Sequence, residues 1–236
     1  LTVIGILLQT NLPIPSIDLG IGAAESPADV AVTLQILFLL TILTLAPAIL
    51  ILMTSFTRSV IVLSFIRNAL ATNQMPPNQV IIGLALFLTF FVMAPVFGTV
   101  YEDAIVPFVD GELEAEAALE TGLEPIREFM FTHTRERDLE MLIGARGGEP
   151  PDARDDVDTL TLIPAFVISE LKTAFQLGFV IFVPFLVIDM IVASTLMAMG
   201  MMMLPPVMIS LPFKILLFVL VDGWHLVVRS LLMSYF

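Results

Sequence analysis

Residues Leu177 to Met199 read LGFVIFVPFLVIDMIVASTLMAM, an apolar run whose only charge is Asp189 and whose only proline is Pro184. About 20 helical residues cross the ~30 Å hydrocarbon core of a bilayer, so the run predicts a helix of the membrane class. Three others surround it in the chain. Val30 to Met53 is interrupted by Pro47, Val80 to Phe97 is unbroken but for Pro95, and Val207 to Val221 carries Lys214 and is followed by a short tail from Trp224 to Phe236. Prolines and charges inside several of these runs set them apart from plain anchors.

The whole chain agrees with this reading. Of 236 residues 58% are hydrophobic and 14% charged, with a mean hydropathy of +0.98. A soluble domain averages about half apolar and about a quarter charged. This much apolar surface cannot be hidden from water inside one domain of this size, so lipid or neighbouring subunits must cover the rest. The chain has no cysteine, which excludes disulfides and thiolate metal sites.

The net charge of −13 is concentrated in one place. Between Tyr101 and Asp158 lie 17 acidic and five basic residues, a balance of −12, and the remainder is nearly neutral. No basic surface exists that would hold nucleic acid. The chain therefore divides into a polar leader over residues 1–29, a first helical hairpin over 30–100, an acidic insertion over 101–158, and a second hairpin with a methionine loop and tail over 159–236. Residues Thr54 to Gln79, read as a loop, carry Arg58 and Arg67 and no acid. Basic loops prefer the cytoplasm, which puts the acidic insertion and both termini outside. The small residues from Gly20 to Ala24 ahead of Glu25 suit a processing site after an exported leader.

Both halves follow one plan: apolar helix, polar or small-residue turn, Pro-Pro, apolar helix, with the pairs at Pro76-Pro77 and Pro205-Pro206. Under this topology the two hairpins point the same way, whereas alternating-access transporters are frequently built from inverted repeats. Within the acidic insertion, Thr121 and Glu124 have the spacing of a capping box. Ile126, Phe129, Met130 and His133 follow at helical intervals, then Leu139, Leu142 and Ile143 up to the glycines from Gly144 onward. The expected fold is thus an all-α integral membrane protein with two similarly oriented hairpins and a helical extracytoplasmic insertion.

Catalysis is poorly provided for. His133 and His225 are the only histidines and stand 92 residues apart. No zinc spacing, phosphate loop or nucleophile elbow is present, so neither an enzyme nor a cofactor is expected. The informative residues are charges inside apolar runs, which face a partner or water because a lone charge in lipid is costly. Asp189 and Lys214 lie at nearly matching depths on either side of the expected turn, and an ion pair, within the hairpin or across a subunit boundary, is favoured over a proton relay. A relay needs more acids than Glu170 and Asp222. Ser169, Lys172, Thr173 and Gln176 fall on one polar stripe of a helix over Pro164 to Val183, suited to a hydrated path or to a subunit seam. Seven of the 13 methionines lie between Met190 and Met208, with Met201, Met202 and Met203 consecutive. Flexible thioethers fill gaps in ordinary cores, but in a loop they would also make a deformable constriction that closes a pore by dewetting.

These stretches resemble a known family. Pro164 to Phe179 (PAFVISELKTAFQLGF) is similar to a signature of the FliP family of flagellar biosynthetic proteins, as are Pro184 to Ser194 (PFLVIDMIVAS), Gly200 to Pro206 (GMMMLPP) and Leu211 to Trp224 (LPFKILLFVLVDGW). Ala46 to Arg58, Pro76 to Pro95, Arg127 to Met130 and His133 to Arg135 also resemble it, and injectisome relatives share many of these motifs. The resemblance implies a pentamer in a helical ring, the export gate, assembled with FliQ-like and FliR-like subunits in the inner membrane at the flagellar basal body. Unfolded export substrates would pass through it. It also implies that the hairpins sit largely above the bilayer within the basal body, that Met201 to Met203 form a gasket, and that Asp189, Lys214, Glu170, Arg135 and Phe129 serve subunit packing. A secondary transporter driven by ions at Asp189 or Glu170, and a purely structural assembly factor, are the competing functions.

Overall fold

The computed structural model describes residues 27–72, 75–147, 153–154, 156–201 and 203–236. The proposed processing site and most of the leader lie outside the described residues. The described chain is all-helical: α1 (Pro27–Met53), α2 (Phe56–Ala69), α3 (Asn78–Val100), a π-helical turn (Tyr101–Ile105), α4 (Val106–Val109), α5 (Ala115–His133), α6 (Glu136–Arg146), α7 (Thr159–Ala198), α8 (Pro206–Leu220) and α9 (Gly223–Met233). Residues up to Leu45 form one unit and Ala46–Phe236 a second. In the first unit, the described side chains of α1 include the exposed Leu37, Leu40 and Leu43.

In the second unit, α2 lies along α7 and α3, and α7 also packs on α5, α6 and α8. Thr54 to Gln79 is not the loop that its two arginines suggested. Val62, Leu63, Ile66 and Ala69 recur at helical spacing and are fully buried, so α2 is the central strut of one core, with Ile81 and Ala85 of α3 and Ala174 and Phe185 of α7 around it. Arg58 is inside the protein as well, which leaves Arg67 alone to support the cytoplasmic assignment of this segment.

The second half of the core joins the insertion to the apolar helices. Met93 of α3, Phe129 and Met130 of α5, and Leu162 and Phe166 of α7 form one cluster. The capping-box reading of Thr121 and Glu124 is corrected: both lie inside α5, which starts at Ala115 after a turn at Gly111 with φ +77°. The strong helix formers Ala115 to Leu119 extend the helix backward past the expected cap. Gly122 then lets α5 approach the π-helical turn so closely that an added Cβ would lie 3.3 Å from that of Ala104. The expected continuous pattern through Ile143 is broken at Thr134 and Arg135, whose backbones are extended. Gly144 lies inside α6, and the stop comes at Gly147, whose φ of +73° favours glycine.

Helix α7 is a single helix of 40 residues, through Pro164 and Pro184. It contains both the polar-striped helix over Pro164 to Val183 and the overlapping apolar run over Leu177 to Met199. At 1.5 Å per residue it is ~60 Å long, about twice a hydrocarbon core. By length and composition, Asn78–Val109 and α7 are each able to cross a membrane, and two bent pairs form further candidates: Leu43–Met53 with α2, bent by 66°, and α8 with α9, bent by 64°. The second bend is built by Asp222 in the left-handed region, φ +52°, a conformation that aspartate tolerates. It is also built by Gly223, where an added Cβ would lie 2.2 Å from the Phe218 ring.

Candidate functional site: methionine loop and buried charges

The methionine loop follows from how α7 ends. Gly200 adopts φ +77°, its amide donates to the Met197 carbonyl at 3.0 Å, and the Met201 amide donates to that of Leu196 at 2.9 Å. This is the Schellman arrangement, which satisfies the last carbonyls and turns the chain off the helix axis. Pro205 and Pro206 then open α8, where proline suits the first turn. Between these fixed ends the side chains project outward: Met201 is 44% exposed and Met203 97%. Met202 lies outside the described residues. In a single chain these thioethers are not core filling.

The hairpin that carries this loop is tied together by charge. Lys214 of α8, 2% exposed, donates to Asp189 Oδ2 of α7 at 2.6 Å and to the Ala69 carbonyl at the end of α2 at 3.2 Å. Ser210, one turn before Lys214 on α8, donates to Asp189 Oδ1 at 2.5 Å. The pair forms within one chain, and both carboxylate oxygens are engaged.

A second cluster lies deeper. Arg58 of α2 and Glu170 of α7, 2% and 0% exposed, form a two-pronged ion pair, with Nε 3.0 Å from Oε2 and Nη2 bonded to Oε1. Such forked pairing suits the planar guanidinium. Arg58 Nη1 donates to the carbonyl and to the hydroxyl oxygen of Ser234, both at 2.8 Å, and its guanidinium lies 3.8 Å from the centre of the Tyr235 ring.

The third group fastens the insertion. The Arg135 amide donates to Ser169 Oγ at 3.0 Å, Ser169 in turn donates to Asp138 at 2.8 Å, and Arg135 Nη2 reaches the Ser169 carbonyl at 3.1 Å. This explains the break before α6: the amide that would continue the helix is taken by α7. Phe129 sits among His133, Phe166 and Tyr235, at ring distances of 4.5, 6.0 and 6.1 Å. The polar stripe is split accordingly, since Ser169 and Thr173 face Arg135 while Lys172 and Gln176 are exposed. Outside the apolar helices, the Arg146 hydrogen bond to Asp158, backed by the Leu160 amide, holds the Asp158 carboxyl below its ordinary value.

Arg58, Ser210, Ser234, Tyr235 and Asp138 join these clusters without being expected from the sequence. The spacing of Ser210 and Lys214, four residues apart on one helix face, was a usable sign. Nothing local marked Ser234 and Tyr235. A cleft of about 810 Å³ lies beside Arg67, Asn68, Asn78 and Gln79 on one side and Val207 and Met208 on the other, so the α2–α3 turn and the start of α8 border the same space. Among the described residues no three His, Asp or Glu side chains are grouped to hold a metal.

Apolar helices long enough to cross a membrane, with Arg58 paired to Glu170 and Lys214 to Asp189 among them, define a helical membrane protein. The sequence matches the FliP family model over residues 39–231, and the chain belongs to that family. It is 58% identical to the flagellar biosynthetic protein FliP of Bacillus subtilis (strain 168), over 92% of this chain and 98% of the relative. It is 57% identical to that of Pectobacterium carotovorum subsp. carotovorum, covering 86% and 79%, and 56% identical to that of Cereibacter sphaeroides, covering 86% and 67%. The family is one of flagellar biosynthesis and not of enzymes.

Proposed function

We propose that this component of the flagellar export apparatus is a subunit of the export gate. Several copies, five by the family resemblance, surround a shared axis together with FliQ-like and FliR-like subunits and form a channel for unfolded export substrates. The methionine loop supplies the constriction. The observation that carries this reading is the combination of a rigid hairpin with an unsupported thioether tip: Met201 and Met203 project from a Schellman turn above a hairpin held by Asp189 and Lys214. Unbranched, polarizable side chains on a fixed base yield to a passing chain and close again by excluding water. The exposed apolar surface of α7 and α8, including Phe179, Val180 and Leu220, supports burial against neighbouring copies or lipid. The assembly belongs in the bacterial inner membrane at the basal body, with residues 101–158 on the extracytoplasmic side.

Ion-driven transport is less well supported. Both candidate proton carriers are occupied, Asp189 by Lys214 and Ser210 and Glu170 by Arg58 and Tyr235. Replacing Met201, Met202 and Met203 together by alanine separates a gasket from an assembly factor. A gasket gives ion leak through a correctly assembled complex, whereas lost assembly without leak would overturn this role. Native mass measurement of the detergent-extracted complex reads the copy number, and a lone monomer there would count against a ring.

A further inference from the structure

Ser234 and Tyr235 follow α9 and belong to no helix, yet they reach two elements far away in sequence. Ser234 receives both hydrogen bonds of Arg58 Nη1. The Tyr235 hydroxyl has one proton and two acceptors in reach, Glu170 Oε2 at 2.9 Å and the Ser55 carbonyl at 3.2 Å. The apolar hold on α9 is one-sided: Gly223, Val227 and Leu231 are buried and Val228 and Leu232 pack partly against the core, while Trp224, Leu226 and Met233 are exposed. Its other end is the sharp bend at Asp222 and Gly223.

We infer that residues 223–236 form a bolt that swings about the Asp222–Gly223 bend and is closed by seating Tyr235 and Ser234 in a socket made by Arg58 and Glu170. Two features make this a separable contact and not simply more core. When the bolt leaves, Arg58 and Glu170 keep each other's counter-charge through their two-pronged pair, and only the Nη1 bonds to Ser234 and the Tyr235 bond to Glu170 open. The seated tail also holds Ser55, which lies at the 66° bend between Leu43–Met53 and α2. The Ser55 hydroxyl is fully buried and has no hydrogen-bond partner among the described residues, so at this bend the Tyr235 hydroxyl supplies a polar contact that Ser55's own side chain does not. Closing the bolt therefore fixes two bends at once.

Hydrogen exchange of the full chain, extracted in detergent, tests this with Tyr235→Phe, which keeps the ring and removes the hydroxyl. Amides of Gly223–Met233 should exchange about tenfold faster, as expected for losing a hydrogen bond to a charged group, with α2 and α7 unchanged. Fluorescence of Trp224, the single tryptophan, should become more accessible to a neutral quencher in parallel. Unchanged exchange in α9, or an equal rise across α2 and α7, would overturn the bolt. If Tyr235→Phe is not recovered folded, Ser234→Ala reads the same contact, with about a threefold rise confined to α9 expected and the same two outcomes against it.

Discussion

Lys214 extends from α8 to Asp189 on α7 at 2.6 Å, and the same ammonium donates to the Ala69 carbonyl at the end of α2. One buried cation thus joins three helices at the base of the methionine hairpin.

Removing one partner should cost far more than removing both. Asp189→Ala leaves a buried ammonium without its counter-charge, a loss of ~3–5 kcal/mol. The double variant Asp189→Leu with Lys214→Met replaces the pair by apolar volume and should recover most of that loss. Thermal unfolding of the purified protein in detergent measures both. Equal destabilisation by the single and double variants would contradict the account.

Helix α2 meets α7 closely at Gly178, where an added Cβ would lie 2.7 Å from the Phe65 ring. Gly178→Ala should destabilise the pair by ~1–3 kcal/mol through overpacking. Phe65→Leu in the same chain should relieve much of this, at the expense of the edge-on contact between Phe65 and Phe175. The readout is again the unfolding temperature, compared across the four proteins of the cycle.

Ser55 tests the opposite sign. Its hydroxyl is buried and has no partner among the described residues, so Ser55→Ala removes a desolvated polar group and should be neutral or stabilising. The carbonyl that receives the Tyr235 hydroxyl stays in place. A clear loss of stability would mean that the hydroxyl is bonded in the working protein.

Asp158 gives a pH dependence outside the apolar helices. Its folded carboxyl titrates below the ordinary 3.8 because of the Arg146 hydrogen bond, then the Leu160 amide. A lowered carboxyl pKa contributes stability that is present above the unfolded value and lost as pH falls through the folded one. Protection of the amides at the start of α7, with exchange corrected for its intrinsic pH dependence, should therefore be flat from neutral pH down to about 5 and should fall below about 4. Asp158→Asn should flatten that acid limb, and high salt should shrink it, since the pair is exposed.

The apolar runs, the position of the methionine turn and the matching depths of Asp189 and Lys214 were all legible in the sequence, because each depends on composition and helical rise. The helix α2 was legible in part. Its stripe of Val62, Leu63, Ile66 and Ala69 is present, but two arginines lower its hydropathy and mask the helix. The start of α5 was misplaced because a local capping pattern at Thr121 was outweighed by helix formers on its amino-terminal side.

Composition and periodicity by themselves determined that this chain is helical, that it must be covered by lipid or other subunits, and that its charge resides in one insertion. These follow from local chain geometry and from the cost of exposing apolar surface to water. Only the tertiary structure decided that Arg58 is a buried partner of Glu170, 112 residues away, that Ser169 interrupts the helix at Arg135, and that Tyr235 closes on the first turn of α2. Such pairings are set by which helix faces come together in space, and no spacing along the chain encodes a meeting between residues so far apart.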